Sequence, residues 1–278
     1  VLMIGSGLTM VDVAMQLLQA GHIGPMIALS RTGKLPNAHL DHAPPVHQLP
    51  SPLPSGLVSK LRALRQEAKR AQEAGEPWQA VIDALRPHVR ESWYRLSLDD
   101  KRRFVRHLRT WWDIHHHRMA PSTAAHILGA VSAGQIRICA GRVERAEATG
   151  ELARVHYRRR GNAARMQIDA ARVINCTGPT PDVTRLGSKL FDSLLQQGLC
   201  RPHVLGMGLD VTDECAVRGE DGMVSRHLFA LGPLTRGTWG SVTAVPDIRE
   251  QAAAVARTIA RVCQPVADTV VRTNSPAG

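Results

Sequence analysis

The sequence predicts an α/β fold, and three patterns along the chain lead to that prediction. Residues 1–29 contain an apolar run, a glycine turn, a helical stretch and a second apolar run, which is the order of a βαβ unit. Residues 58–120 have apolar residues at helical spacing, and short alternating stretches follow them. A strand, a glycine turn and a helix in succession are typical of a Rossmann-like domain, which we expect over residues 1–170, with a helical insertion at about 58–120.

The βαβ unit begins with residues 1–4 and ends with residues 26–29, two apolar runs that predict buried strands. Between them, apolar residues recur at the spacing of an amphipathic helix, and Gly21 is expected to end that helix. The crossover should be right-handed.

The insertion follows a loop rich in Pro and His at residues 36–57. Its helices are predicted from apolar residues three or four positions apart, and Ser97 with Asp100 marks a helix start. The predicted helices cover residues 61–71, residues 78–85 and a stretch from about Leu98 to Trp112.

Beyond the insertion, the chain is predicted to alternate between helices and strands. Residues 143–148, 153–157 and 166–168 alternate like the strands of a small antiparallel sheet, with a turn near Gly161. The other predicted elements are a helix over 121–133, strands over 136–139 and 173–176, a helix over 191–197, a strand over 228–231 and a final helix over 247–262.

Composition limits the classes of function. The 278 residues carry a formal charge of +11 at pH 7, which raises nucleic acid as a partner. The excess positive charge is mostly scattered Arg and no nucleic-acid recognition motif occurs, so we expect a small polyphosphate cofactor and no nucleic acid. No apolar run is long enough to span a membrane. Dispersed cysteines predict reduced thiols in the cytoplasm: Cys139, Cys176, Cys200, Cys215 and Cys263.

The glycine turn carries the predicted binding chemistry. Gly5 permits the tight turn, and Gly7 lets the backbone approach a pyrophosphate without an intervening Cβ. The helix that follows offers N–H groups and its positive dipole end to the phosphates. Met10 replaces the third glycine of the usual fingerprint, and a turn that packs helix on strand without a ligand is the alternative interpretation. The residues predicted to bind the cofactor here are Gly5, Ser6, Gly7, Leu8 and Thr9.

The end of the second strand indicates which cofactor is bound. NAD enzymes usually place Asp or Glu there to bind the ribose 2′-hydroxyl, whereas this chain has Ser30 and Arg31. A guanidinium matches the oxygens of a 2′-phosphate. We therefore predict NADP(H), bound by Ser30 and Arg31; the alternative is an ordinary solvated arginine.

The residues argue against two further chemistries. A short-chain dehydrogenase needs Tyr with Lys four residues later, but Leu98 follows Tyr94 and Gly161 follows Tyr157 at that distance. The three consecutive histidines, His115–His117, point in different directions on a helix and cannot share one metal ion. We predict no metal site and assign no catalytic residue, although a catalytic role for one of these histidines stays open.

Three segments in order resemble a known group of proteins. They are the glycine turn with Thr9 and Asp12, residues 175–179, and residues 228–233. Together they are similar to FAD/NAD(P)-binding oxidoreductases related to flavin-containing and N-hydroxylating monooxygenases. In particular, they resemble a bacterial branch with a Trp-Trp-Asp helical insertion, here residues 111–113.

The resemblance implies that residues 171–278 form the C-terminal part of an FAD-binding domain. In the family a strand ending in Gly-Asp presents its Asp to the flavin, but Pro233 follows Gly232 here. The resemblance also implies FAD as a second cofactor, hydride transfer from NADPH to FAD, and a small-molecule substrate. The residues that the resemblance implies for FAD binding, called the flavin side below, are Thr177, Gly178, Gly232, Pro233, Trp239 and Val245.

The first glycine fingerprint of the family, which holds the ADP part of FAD, is expected upstream of Val1 and does not occur in this sequence. We therefore expect either a fragment of a larger enzyme or a chain whose FAD-binding half is supplied in cis or in trans. The alternative function is a non-catalytic nucleotide-binding module.

Overall fold

The computed structural model describes residues 1–162 and 164–262. The chain forms two compact units, Val1–Pro179 and Thr180–Gly278. Each unit has its own sheet and its own apolar core, as expected for separately packed domains. The predicted α/β fold is confirmed.

The first unit is built on one six-stranded sheet. Its strands are β1 (Leu2–Ile4), β2 (Met26–Ser30), β3 (Ile136–Thr149), β4 (Leu152–Arg159), β5 (Arg165–Ala170) and β6 (Val173–Asn175). The strand order is β5-β4-β3-β2-β1-β6. β1 pairs in parallel with β2 and β6, and β2 in parallel with β3, whereas β4 is antiparallel to both of its neighbours. Because β1 has strands on both sides and packing on both faces, its residues are apolar.

β3 differs from the prediction, which places separate strands at 136–139 and 143–148. The structure has one strand there, whose first five residues pair with β2 and whose remainder, from Gly141, pairs with β4. The strand has a bulge between Val143 and Arg145. β4 approaches closely at Gly141, where a Cβ would lie 2.8 Å from the carbonyl oxygen of Arg158. A residue without a side chain therefore lets one strand bend from a parallel into an antiparallel pairing.

Helix α1 (Leu8–Gln19) connects β1 to β2, and the insertion follows β2. The insertion consists of α2 (Leu57–Glu73), α3 (Trp78–Leu85), α4 (Val89–Tyr94), α5 (Leu98–Arg103) and α6 (Arg109–His116), with a π-helical turn at Phe104–Leu108. The sequence does not predict α4. Trp93 on this helix packs edge-on against Phe104, with ring centroids 5.6 Å apart, so an aromatic contact holds α4 against the π-helical turn.

Helix α7 (Pro121–Ser132) returns the chain to the sheet. Together with α1 it covers one face of the sheet, where the buried residues include Met3, Met10, Met26, Ile127 and Ile136. On the opposite face, Leu2 and Leu29 pack against residues of β4 and β5 such as Val155 and Ile168. The core therefore rests on aliphatic side chains and Met, which the scarcity of aromatic residues in the sequence predicts.

The second unit contains α8 (Lys189–Gln196), β7 (Ala216–Arg218), β8 (Val224–Phe229), a 3-10 turn at Gly232–Thr235, α9 (Arg236–Trp239) and α10 (Val245–Val262). β7 and β8 form a two-stranded antiparallel sheet. β8 begins and ends earlier than the strand predicted at 228–231, so Ala230 and Leu231 lie beyond it. The core of the second unit includes Val217, Trp239 and Val255, all of which are buried.

The cysteines whose positions are described are free thiols. Burial raises the pKa of the Cys176 and Cys200 thiols, which keeps them protonated. Cys263 lies outside the described residues. As for membranes, none of the helices within the described ranges has the length and apolar character needed to cross one.

Candidate functional site

The carboxyl ends of the parallel strands meet at one edge of the first unit's sheet. β2 and β3 lie on one side of β1 and β6 lies on the other, so the direction of strand succession reverses at β1. Ligands of open α/β sheets bind beside such a switch point, at the carboxyl ends of the strands. Three segments predicted to bind cofactor start there: the glycine turn after β1, the Ser30-Arg31 loop after β2, and Thr177-Gly178 after β6.

Gly5 closes the turn after β1 against the end of β6. Its φ of 120° lies in a region that residues with a Cβ rarely adopt. A Cβ on Gly5 would lie 2.6 Å from the carbonyl carbon of Cys176, so the close approach requires glycine. The Gly5 N–H donates to the carbonyl of Leu29 at 2.8 Å. Gly5 therefore fixes the turn between its two neighbouring strands.

Gly7, unlike Gly5, has open space around it. Its φ of −87° suits any residue, and a Cβ built on it would meet no atom within 4 Å. It directly precedes α1, which has no side-chain cap and no acidic residue in its first turn. The first N–H groups of a helix have no partner within the helix, and the dipole makes this end positive. Open space in front of such a helix end gives a phosphate room to bind.

Ser6 connects the glycine turn to the loop after β2. Its side chain is buried, its Oγ lies 2.7 Å from the Oγ of Ser30, and it donates to the carbonyl of Lys34 at 2.6 Å. Ser30 Oγ also accepts the N–H of Gly33 at 2.9 Å. Both predicted serine side chains therefore shape the loop, and their cofactor contacts remain a prediction.

Arg31 is exposed in this loop, and within residues 1–162 and 164–262 no carboxylate forms an ion pair with it. Three residues later, the Lys34 ammonium lies 3.9 Å from the centre of the Trp111 ring on α6. The sequence places Arg31 at the end of β2 but gives no sign of the Trp111 contact, because the two residues of the pair are 77 positions apart in the chain.

Thr177 and Gly178 form an exposed turn after β6. The side chain of Asn175 holds this turn: its Oδ1 accepts the Thr177 N–H at 3.1 Å and the Thr177 hydroxyl at 2.7 Å. Gly178 has a φ of 74° and open space around a Cβ position. Asn175 was not among the predicted site residues, although Asn two positions before a turn residue is a recognisable sequence signal.

The other residues predicted on the flavin side lie in the second unit. Pro233 and Val245 are exposed, whereas Gly232 and Trp239 are buried. The N–H of Gly232 donates to the Gln251 side-chain oxygen at 2.6 Å, and Gln251 in turn donates to the hydroxyl of Thr235 at 2.9 Å. Within this unit, Gly232 therefore joins the 3-10 turn to α10, and a flavin contact at these positions remains a prediction.

The three consecutive histidines have different neighbours, and the rings of His116 and His117 meet edge-on with centroids 4.8 Å apart. His117 lies just beyond α6, which ends at His116. His115 stacks on Trp111, His116 is buried against Trp112, and His117 lies 3.7 Å from Asp113. Among the residues that the structure describes, no group of three or more His, Cys, Asp or Glu side chains could hold a metal ion. The contacts observed for the three histidines are with other residues of the helical insertion.

The buried His116 makes stability depend on pH. Burial lowers its pKa from 6.5 to about 4, with the nearby positive charge of Arg86 as a further cause. The unfolded chain takes up this proton near pH 6.5 and the folded chain only near pH 4, so the folded state loses stability as pH falls through this window. The lowering of this pKa by about 2.5 corresponds to about 3 kcal/mol at most, and partial solvent screening reduces the expected loss to about 2 kcal/mol.

Urea unfolding at a series of pH values checks this expectation. The variant His116→Phe, which keeps an aromatic ring beside Trp112, should lose part of the acid destabilisation. His107→Phe changes an exposed histidine of the same insertion and should keep the wild-type pH dependence. An unchanged slope between pH 4 and 6.5 in His116→Phe would contradict the assignment.

Comparison with known proteins gives similarity in structure but not in sequence. No family model matches the chain, and no curated protein matches its sequence. Ornithine hydroxylase (PvdA) from Pseudomonas aeruginosa is 16% identical with a TM-score of 0.56, covering 95% of this chain and 52% of that one. L-lysine 6-monooxygenase from Pseudomonas syringae is 13% identical with a TM-score of 0.60, covering 95% and 54%. The ornithine N-hydroxylase of Kutzneria sp. 744, in complex with reduced FAD, NADP+ and L-ornithine, is 14% identical with a TM-score of 0.56, covering 94% and 53%.

These similarities show that the chain has the fold found in N-hydroxylating monooxygenases. The resemblance that the sequence motifs predict is thus confirmed at the level of fold. The chain spans about half the length of each of these proteins.

Proposed function

We propose that this chain binds NADPH as part of an FAD-dependent oxidoreductase of the monooxygenase type. The observation that carries the proposal is the glycine turn. Gly7 leaves open space in front of the uncapped N-terminus of α1, at the switch point of a parallel sheet. Arg31, exposed at the end of the neighbouring strand, supplies a positive charge for the 2′-phosphate.

The residues of the chain divide the binding of NADPH between them. The pyrophosphate lies against Gly7 and the N–H groups of Leu8 and Thr9, where the helix dipole favours negative charge. Gly5 and Ser6 keep the turn in shape through their contacts with β6 and with the loop after β2. Arg31 contacts the 2′-phosphate and distinguishes NADPH from NADH.

We further propose that FAD is a second cofactor, with Thr177 and Gly178 of the first unit as the residues to test first for contact with it. When bound, FAD would accept a hydride from NADPH and, with dioxygen, would supply the chemistry for inserting one oxygen atom into a small-molecule substrate while the other leaves as water. We assign the glycine turn at Gly5–Gly7 to NADPH and propose that the ADP part of FAD binds to a second dinucleotide-binding half, in cis or in trans. Ornithine and lysine, which similar structures are named for, make an aliphatic amine the first substrate to test.

Titration of the purified chain with NADPH, NADH and FAD tests the proposal, with calorimetry for the nicotinamide nucleotides and absorbance for flavin. We expect NADPH to bind more tightly than NADH. FAD retention together with NADPH oxidation would support the oxidoreductase directly. Nucleotide binding without flavin or turnover, even with the second half supplied, would favour a non-catalytic nucleotide-binding module. Binding of neither NADPH nor NADH would refute the proposal.

A further inference from the structure

The helical insertion contacts the loop after β2 through Lys34. The Lys34 ammonium lies 3.9 Å from the centroid of the Trp111 ring, within the range of a cation–π interaction. The carbonyl of the same lysine accepts the buried Ser6 hydroxyl of the glycine turn. Lys34 therefore joins three parts of the first unit: the glycine turn, the loop that carries Arg31, and α6 of the insertion.

Trp111 also contacts other side chains of the insertion. His115 stacks on it with an angle of 29° between the rings, and Trp78 meets His115 edge-on at 5.0 Å. The loop is tied to the same helix, because the N–H and the side-chain amide of Asn37 both donate to the carbonyl of Ile114, at 2.9 and 3.0 Å. The ring and the loop are therefore fixed relative to each other within this unit.

The contact with the Trp111 ring does not neutralise the charge of Lys34, so this charge can still attract a phosphate. A carboxylate partner would neutralise the ammonium, but none forms an ion pair with Lys34 among the residues that the structure describes. An indole face attracts a cation without carrying a net charge. It also limits the conformations of a long, flexible side chain, so less conformational freedom is lost when a phosphate binds. Trp111 is itself 49% exposed, which leaves this place open to solvent.

We propose that Lys34 is a second cation for the 2′-phosphate and that Trp111, from the insertion, is the residue that positions it. The inference rests on the proposed function, since it names further residues of the same site. The insertion thereby contributes to the preference for NADPH over NADH. This role is additional to those proposed for the glycine turn and Arg31.

Four variants and the wild-type chain test the proposal through their dissociation constants for NADPH and NADH. Lys34→Met should weaken NADPH binding about tenfold and leave NADH within about twofold, because one charge-assisted contact is lost. Trp111→Leu should weaken NADPH about threefold to fivefold, and Trp111→Phe, which keeps a ring, should restore most of that loss. Tyr94→Leu, an exposed aromatic on α4 of the same insertion, should leave both constants unchanged.

The combination of Lys34→Met with Trp111→Leu separates positioning from a direct contact. If Trp111 acts through Lys34, the double variant should bind NADPH no more weakly than Lys34→Met alone. An unchanged ratio of NADPH to NADH affinity in Lys34→Met, or additive losses in the double variant, would overturn the proposal. If Trp111→Leu does not fold, as judged by circular dichroism, the NADPH and NADH affinities of Lys34→Met and Trp111→Phe test the proposal instead. A wild-type chain that binds neither nucleotide would refute the proposed function, whereas a wild-type preference for NADPH that Lys34→Met leaves intact would refute this inference alone.

Discussion

Replacing Gly7 by Val is expected to abolish the binding of NADPH and NADH and to leave the fold intact. The backbone of Gly7 has a φ that valine accepts, and a Cβ there meets no protein atom within 4 Å. The new side chain therefore enters the space in front of α1 where a pyrophosphate would lie. We expect both affinities to fall by at least about a hundredfold, because the phosphates lose their close approach to the helix N-terminus. Calorimetric titration measures the loss, and circular dichroism with thermal unfolding checks the fold.

Gly5→Ala is the matched comparison, since it changes the other glycine of the same turn. Its added Cβ would lie 2.6 Å from the carbonyl carbon of Cys176, at a backbone φ of 120°. We expect this variant to unfold at a markedly lower temperature, with binding lost as a consequence of destabilisation. Gly7→Ala should show a weaker form of the Gly7→Val result. Unchanged nucleotide binding in well-folded Gly7→Val would remove the glycine turn from the site.

The first βαβ unit could be predicted from the sequence because its signals are local. The apolar runs, the glycines and the helical spacing all lie within thirty residues, and the observed β1, α1 and β2 match them closely. The same applies to the position of Arg31, which follows from its place directly after a strand. Local patterns thus predicted the elements that carry the candidate site.

Features that depend on distant residues could not be predicted. The break between residues 139 and 143 indicates the end of a strand, but pairing with β4 continues β3 through the bend. The contact between Lys34 and Trp111 depends on how the insertion folds back onto the loop after β2, which no spacing rule describes. On the flavin side, the sequence identified Gly232 from a motif, but its hydrogen bond to Gln251 becomes visible only when α10 is packed against the turn.

Replacing Arg31 by Ala is expected to change which nucleotide is preferred. Arg31 is exposed, follows β2 directly, and no carboxylate within the described ranges forms an ion pair with it. A guanidinium that contacts a 2′-phosphate contributes about 1.5–3 kcal/mol through charge-assisted hydrogen bonds, which corresponds to a loss of roughly 10- to 100-fold for NADPH. NADH has no 2′-phosphate, so its affinity should change by less than about twofold.

A control variant distinguishes the loss of the contact with the 2′-phosphate from the general effect of removing a positive charge. Arg62→Ala removes an exposed guanidinium from α2, and it should lower both affinities slightly or not at all. Arg31→Lys should recover part of the NADPH affinity, because it restores the charge without the two-pronged geometry of the guanidinium. The dependence of NADPH affinity on salt should also become shallower in Arg31→Ala, since one charge no longer faces the phosphate. Equal losses of NADPH and NADH affinity in Arg31→Ala would assign the residue to a contact that both nucleotides share, and the 2′-phosphate would then have to be bound elsewhere.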